Sequence, residues 1–250
     1  MTRLFVHELR AQQLLFWRSR ESAFFTFLLP IIFLVLLGSV YGDEQFNGIN
    51  GATYLLAGLI GYGVVATAFA GLAITLVVRR ESGVLKRVRG TPLPASVYLT
   101  AVIVSTLIVI ALEVVTQLLI GTYVLDASWP QSPVAFVLVL VVGAAAFAAL
   151  GLALTGLVRS ADGSSAVVNA IYLPMTFISG VFFSTEGMPA FLRAIGDVLP
   201  LTYLLRLSRE TFVAGDGLDM PWGSLAAIAV WGIVGFLVAV RMFKWEPREV

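Results

Sequence analysis

Long apolar runs separated by short charged segments dominate the chain. Six stand out, approximately Ala23 to Tyr41, Ala52 to Val78, Val97 to Val124, Val134 to Val158, Ser164 to Phe183 and Ser224 to Phe243. A helix rising about 1.5 Å per residue needs roughly 20 apolar residues to cross a hydrocarbon core. The pattern therefore predicts an all-α membrane protein with six transmembrane helices (spans 23–41, 52–78, 97–124, 134–158, 164–183 and 224–243). Other segments have a different rhythm. Over Thr2 to Glu21, Leu4, Phe5, Leu9, Leu15, Phe16 and Trp17 interleave with Arg3, His7, Glu8, Arg10, Gln12, Gln13, Arg18 and Arg20. That mixture predicts an amphipathic interface helix within residues 1–22. Between Ser184 and Gly223 the chain is too polar to span and too apolar to be a free loop. Two short helices are expected there, about Pro189 to Val198 and Leu201 to Ala214, re-entering or capping the bundle, with Arg206 and Glu210 paired at i,i+4.

Charge adds orientation. Of 16 basic residues, only Arg193, Arg206 and Arg209 fall on one side of an alternating six-span chain, and the other thirteen share the opposite side. Basic loops stay in the cytoplasm, so both termini are expected there, in a bacterial plasma membrane. Composition agrees: 59% of residues are hydrophobic and 12% charged, too few charges to cover a water-soluble surface of this size. Cysteine is absent and His7 is the single histidine. No thiolate or imidazole metal site, Ser-His catalytic pair or Cys nucleophile is therefore expected. Lys86 follows Leu85 and Lys244 follows Phe243, so neither belongs to a phosphate-cradling glycine loop. The chain reads as a non-enzyme that binds no cofactor, metal or nucleic acid of its own.

Glu113 is the one carboxylate inside a run, where insertion costs about 2.5–3.5 kcal/mol unless the side chain faces protein or water. With Thr116 and Gln117 it forms a polar stripe on span three. It serves either as a contact to a cationic substrate or a gate, or, with its carboxyl protonated, in an interhelical hydrogen bond to span one or four. Asn169, Tyr172, Thr176 and Ser179 form a second polar line around Pro174 in span five. The glycines of spans two and four suit close helix packing. The segment Arg79 to Pro94 can wind about three turns from Arg80 to Arg89, gathering Val84, Leu85 and Val88 opposite Lys86, Arg87 and Arg89. It is either a rigid element for another protein to grip or a basic loop touching anionic lipid.

The order Glu81-x-Gly83-x-Leu85-Lys86-Arg87-x-Arg89-x-x-Pro92 resembles the coupling-helix region of type-2 ATP-binding-cassette (ABC) transporter permeases, the class of daunorubicin-type drug exporters and of polysaccharide or lipid exporters. Arg20 before a span with Pro30, the Gly38-Ser39-Val40-Tyr41-Gly42 exit, Ser179-Gly180-Val181-Phe182-Phe183, Met188-Pro189-Ala190-Phe191-Leu192 and Leu199-Pro200-Leu201-Thr202-Tyr203 extend the likeness over most of the chain. The resemblance implies a dimeric permease, with an identical or paralogous second copy, that binds two cytoplasmic ATPase subunits carrying ATP and Mg. Its coupling interface would be Arg80, Glu81, Gly83, Leu85, Lys86, Arg87, Arg89 and Pro92. The translocation path would follow spans two and five, with Glu113, Gln117, Asn169, Tyr172 and Thr176 as candidates. A hydrophobic drug, antibiotic or lipid-like cargo is expected, giving efflux and multidrug resistance. The alternatives are export of a polysaccharide or lipid-linked glycan, and a membrane anchor that recruits a cytoplasmic partner without transport.

Overall fold

A computed structural model describes residues 1–46, 48–185, 187–213 and 221–246, and helices make up nearly all of its regular structure. Helix α1 (Thr2–Arg18) ends at Ser19, whose backbone N–H bonds the Leu15 and Phe16 carbonyls. The Ser19 side chain then accepts from Ser22 N and caps α2 (Arg20–Tyr41). The amphipathic helix and the first long apolar helix therefore meet at Ser19, about three residues before the expected boundary. Pro30, Leu34 and Gly38 are the buried residues of α2; their i,i+4 spacing is one stripe, and the other positions are half-buried or exposed.

A two-stranded hairpin, β1 (Gln45–Phe46) with β2 (Ile49–Asn50), follows, a small feature the sequence reading did not anticipate in a mostly helical chain. Segments this short carry too little alternation to be read from sequence. Asn50 then accepts from the N–H groups of Ala52 and Thr53 and starts α3 (Gly51–Val65). A π-helical segment (Ala66–Gly71) and α4 (Leu72–Glu81) continue α3 without a break. Every residue of α3 is buried, the fate of a helix that is apolar all round.

This long helix is the axis of the molecule. On one side lie α2 and α6 (Ala95–Leu125), with α1 across α6. On the other lie α7 (Pro133–Thr155), α10 (Pro200–Val213) and α11 (Trp222–Met242), and α6 barely touches α7. The α7–α11 pairing is the most extensive, because Gly232 and Gly235 bring α11 against Ala146 and Leu150. Helix α8 (Ala161–Ile178) packs on α4 and the π-helical segment, and short α5 (Val84–Arg89) and α9 (Ala190–Gly196) complete the set.

Among the described residues, five helices are long and apolar enough to cross a membrane: α2, the continuous Gly51–Glu81 helix, α6, α7 and α11. The fifth predicted span coincides with α8, which has 18 residues and carries Asp162 and Asn169. It starts before Ser164 and ends at Ile178, because Gly180 takes a left-handed φ of 78°. The two short helices after it are α9 and α10, with Ala214 outside the described residues. Helix α10 buries Leu201, Leu204, Leu205, Leu207 and Phe212, while Ile195 of α9 and Val198 just after it are exposed on the protein surface. Arg206 donates to Asp197 rather than pairing with Glu210. Asp197 caps α9 immediately before α10 begins, and that corner brings the carboxylate to Arg206.

Candidate functional site

The first candidate region lies where α4 gives way to α5. Helix α4 runs on to Glu81, so Arg79 and Arg80 sit on its last turn rather than in a loop. The expected continuous helix from Arg80 to Arg89 is interrupted at Ser82 and Gly83, where Gly83 adopts φ 72°. Only glycine enters that region without a Cβ penalty, and the chain turns there. Arg80 points inward and is 1% exposed. Its Nη1 donates to the Thr155 carbonyl, Nη2 to the Val158 carbonyl and Nε to Glu81 Oε1, each at 2.7 Å. These contacts satisfy carbonyls left open at the end of α7 and place a cation at its negative pole. Arg79 reaches the other way, donating to Gln12 Oε1 at 2.7 Å and Tyr98 Oη at 3.0 Å.

Of the residues predicted to couple to a partner, Leu85 is buried and anchors α5, while Lys86, Arg87, Arg89 and Pro92 are exposed. Arg89 makes a surface pair with Glu246 at 3.6 Å. Glu81 is committed to Arg80. The predicted set thus divides into an outward basic face (Lys86, Arg87, Arg89) and an inward anchor (Arg80, Glu81, Leu85) joined by the Gly83 turn.

The second region is a cleft of about 700 Å³ bounded by α1, α2, the Gly51–Glu81 helix, α6 and α8. Helices α2 and α8 stand on its two sides. Its charged lining groups are Glu21 and Arg79, one at the start of α2 and the other at the end of α4. Deeper in, hydroxyls of Thr26, Thr67, Thr75 and Thr106 alternate with Phe25, Leu29, Ile74 and Val109. Tyr62 and Tyr172 also line it, with ring centroids 5.7 Å apart. Beyond them Phe182 contacts Tyr62, Phe33 and Phe177, an aromatic cluster that continues from the cleft toward the α8 exit. At that end Arg209 lies 3.6 Å above the Tyr54 ring and donates to Gly180 O at 2.6 Å. Burial pushes its guanidinium down to about 10, so it stays cationic at neutral pH.

The cleft is bordered by the predicted spans two and five, and also by α1, α2 and α6. Of the predicted path residues, Tyr172 lines it. Thr176 is buried and donates to the Tyr172 carbonyl at 2.9 Å. Asn169 faces outward. Glu113 and Gln117 are buried behind the cleft wall. Thr67 Oγ1 donates to Glu113 Oε2 at 3.3 Å and Gln117 Nε2 to Oε1 at 3.2 Å, while Gly63 lies directly against the carboxylate. The interhelical partner of Glu113 is thus the second long helix, not the first or fourth, and Thr116 turns back to the Leu112 carbonyl. Sequence reasoning did not single out Tyr62 or Thr67, and it placed Gln12 and Gln13 only among the polar positions of the N-terminal helix. The first two carried a signal, as polar groups within an otherwise apolar run. Gln13 donates to Ser105 O and Oγ, both at 3.0 Å, a pairing that no local pattern reveals.

Comparison with known proteins gives a consistent result. The sequence profile described as ABC-2 type transporter matches residues 3–213. YvfS of Bacillus subtilis, named as a transport permease, is 25% identical over 188 residues, covering 73% of this chain and 75% of its own. YadH of Escherichia coli K12, named as an inner membrane transport permease, is 26% identical over 86% of this chain and 81% of its own. YbhS of the same strain, named as a multidrug ABC transporter permease, is 22% identical over 61% of this chain and 41% of its own.

Proposed function

Because the chain belongs to the ABC-2 type transporter family and is a multi-pass membrane permease subunit of an ABC transporter, we propose that it exports an uncharged or weakly polar amphiphile. The observation that carries this reading is the cleft. Its charged lining groups lie at one end, at the start of α2 and the end of α4, and hydroxyls, aromatic rings and aliphatic side chains line the rest. Such a surface desolvates an apolar body and offers hydrogen bonds to scattered hydroxyl, ether or carbonyl groups. A formal charge placed there would lack a counter-ion. A drug, antibiotic or lipid-like molecule fits this description better than a polysaccharide, because aliphatic residues interrupt the hydroxyls.

In this reading the α5 end faces the cytoplasm. Separate ATPase subunits hydrolyse ATP there and grip the basic face of Lys86, Arg87 and Arg89, with Leu85 and Arg80 anchoring α5 to the bundle. The exposed apolar faces of α2 and α8 flank the cleft, and a second permease copy would cover them, with lipid around the rest. Closure of the ATPase pair would displace α5 and switch the cleft between its two openings. The six-crossing arrangement is part of this proposal. Val158, just before α8, meets Arg80 at one end of the axial helix, and Phe183, just after α8, accepts from Tyr54 at the other.

The test is ATPase activity of the complex reconstituted in lipid, measured against lipophilic compounds and against lipid-linked glycans. Stimulation by uncharged amphiphiles alone is the expected result. Stimulation by glycans alone would replace the cargo assignment. A complex that hydrolyses ATP but responds to neither and moves no lipophilic probe would favour the anchor alternative.

A further inference from the structure

Two neighbouring arginines at the end of α4 reach in opposite directions. Arg79 binds Gln12 of α1 and Tyr98 of α6. Arg80, enclosed by protein, binds the carbonyls of Thr155 and Val158 at the end of α7. The helices they hold belong to different flanks: α1 with α6 on one side, α7 with α11 on the other, and α6 and α7 hardly in contact. The axial helix is thus the main physical link between the flanks, beside one ring contact between Tyr98 of α6 and Trp245 just beyond α11. Its π-helical segment is held from both sides, since Thr67 donates to Glu113 of α6 and Gly151 admits α7 against the Ala68 and Phe69 carbonyls. Helix α5 leaves α4 two residues beyond Glu81, with Leu85 buried beneath it.

We propose that Arg79 and Arg80 form a fork that divides a displacement of α5 between the flanks, Arg79 driving α1 and α6 and Arg80 driving α7 and α11. Both are positioning residues, and the proposal rests on the reading that α5 is where the ATPase docks. The chemistry gives each arm a distinct strength. Arg80 fixes its flank through two backbone carbonyls in a dry environment, where charge-assisted bonds are strongest. Arg79 holds its flank through side chains beside the cleft, so that arm also touches the space a cargo would occupy. An arginine guanidinium satisfies two carbonyls and a carboxylate at once, and a lysine ammonium in that place cannot reach all three.

The fork is tested by hydrogen exchange on the full chain bound to its ATPase subunits in lipid nanodiscs, followed at α1 and at residues 152–158. Arg80→Gln should speed exchange at 152–158 about tenfold, the loss of a charge-assisted bond, and leave α1 unchanged. Arg79→Gln should do the reverse, and Arg80→Lys should fall between wild type and Arg80→Gln. Adding ATP and vanadate should alter both regions in the wild type and only α1 in Arg80→Gln. Loosening of both flanks by either single variant marks general destabilisation and overturns the fork, as does a nucleotide response at 152–158 that survives Arg80→Gln. ATPase subunits that remain bound to the Lys86→Glu/Arg87→Glu chain overturn the docking reading beneath it, a result distinguishable because the exchange pattern is scored separately.

Discussion

Glu113 is held by Thr67, Gln117 and the close approach of Gly63. Alanine at 113 would leave the enclosed Gln117 amide without its acceptor and free the Thr67 hydroxyl at the cleft wall, a loss of about 1–3 kcal/mol. Glutamine keeps the shape and can still accept from Thr67. Thermal unfolding of the detergent-solubilised permease should therefore rank wild type and Glu113→Gln together, well above Glu113→Ala. Equal melting of all three would show that the carboxylate contributes no structural contact. Gly63→Ala should resemble Glu113→Ala, because its methyl would occupy the space of the carboxylate. The burial of Glu113 was legible in the sequence, since a lone carboxylate in an apolar run must face protein or water. Its partner was not, because periodicity names a helix face and says nothing about which helix meets it. The same limit hid Tyr62, which joins Tyr172 at the cleft wall from a distant position in the chain. Tyr62→Ala and Tyr172→Ala should each change which compounds stimulate ATP hydrolysis while leaving the unstimulated rate near wild type. Variants with an unaltered compound profile would remove these rings from the path.

At the scale of elements, the turn between α4 and α5 combines a conformational requirement with an outward basic face. Gly83 has open space around its Cα, so a substitution there meets no neighbour and only the backbone strain of φ 72° opposes it. For alanine that strain is about 1–2 kcal/mol, and asparagine tolerates the region better. Coupled ATP hydrolysis should accordingly fall in the order glycine, asparagine, alanine, valine at position 83. A Gly83→Val complex with normal coupling would mean that the turn geometry is dispensable. The division between Leu85 inside and Lys86, Arg87 and Arg89 outside followed from sequence, because an amphipathic turn shows its two faces in its spacing. The inward role of Arg80 did not. A buried arginine reads from sequence as a surface charge, and its partners are backbone carbonyls of α7, which carry no side-chain signature. The β1–β2 hairpin escaped for a related reason, since two-residue strands leave no pattern to read.

For the whole molecule, the number of crossings turns on α8, the least apolar of the six helices that coincide with predicted spans. If α8 crosses, the chain ends on the side where it starts, and Arg159, Arg241 and Lys244 join the basic side, as positive-inside sorting requires. Should it not cross, α9, α10 and Arg193 would stay with α5, and Arg241 and Lys244 would be translocated. Contacts at both of its ends support the first arrangement: Val158 at Arg80 and Phe183 at Tyr54 are separated by most of the length of the axial helix. From 54 to 80 that helix rises about 39 Å at 1.5 Å per residue, enough to traverse a hydrocarbon core. The chain contains no cysteine, so single exposed substitutions report location without a background. Asp43→Cys and Phe191→Cys should react with a membrane-impermeant maleimide on intact cells. Arg3→Cys, Lys86→Cys and Lys244→Cys should react only after lysis. Protection of Phe191→Cys together with labelling of Lys244→Cys would reduce the crossings to five, turn α9 and α10 toward the ATPase, and leave the cleft without its α8 wall on the path to the outside.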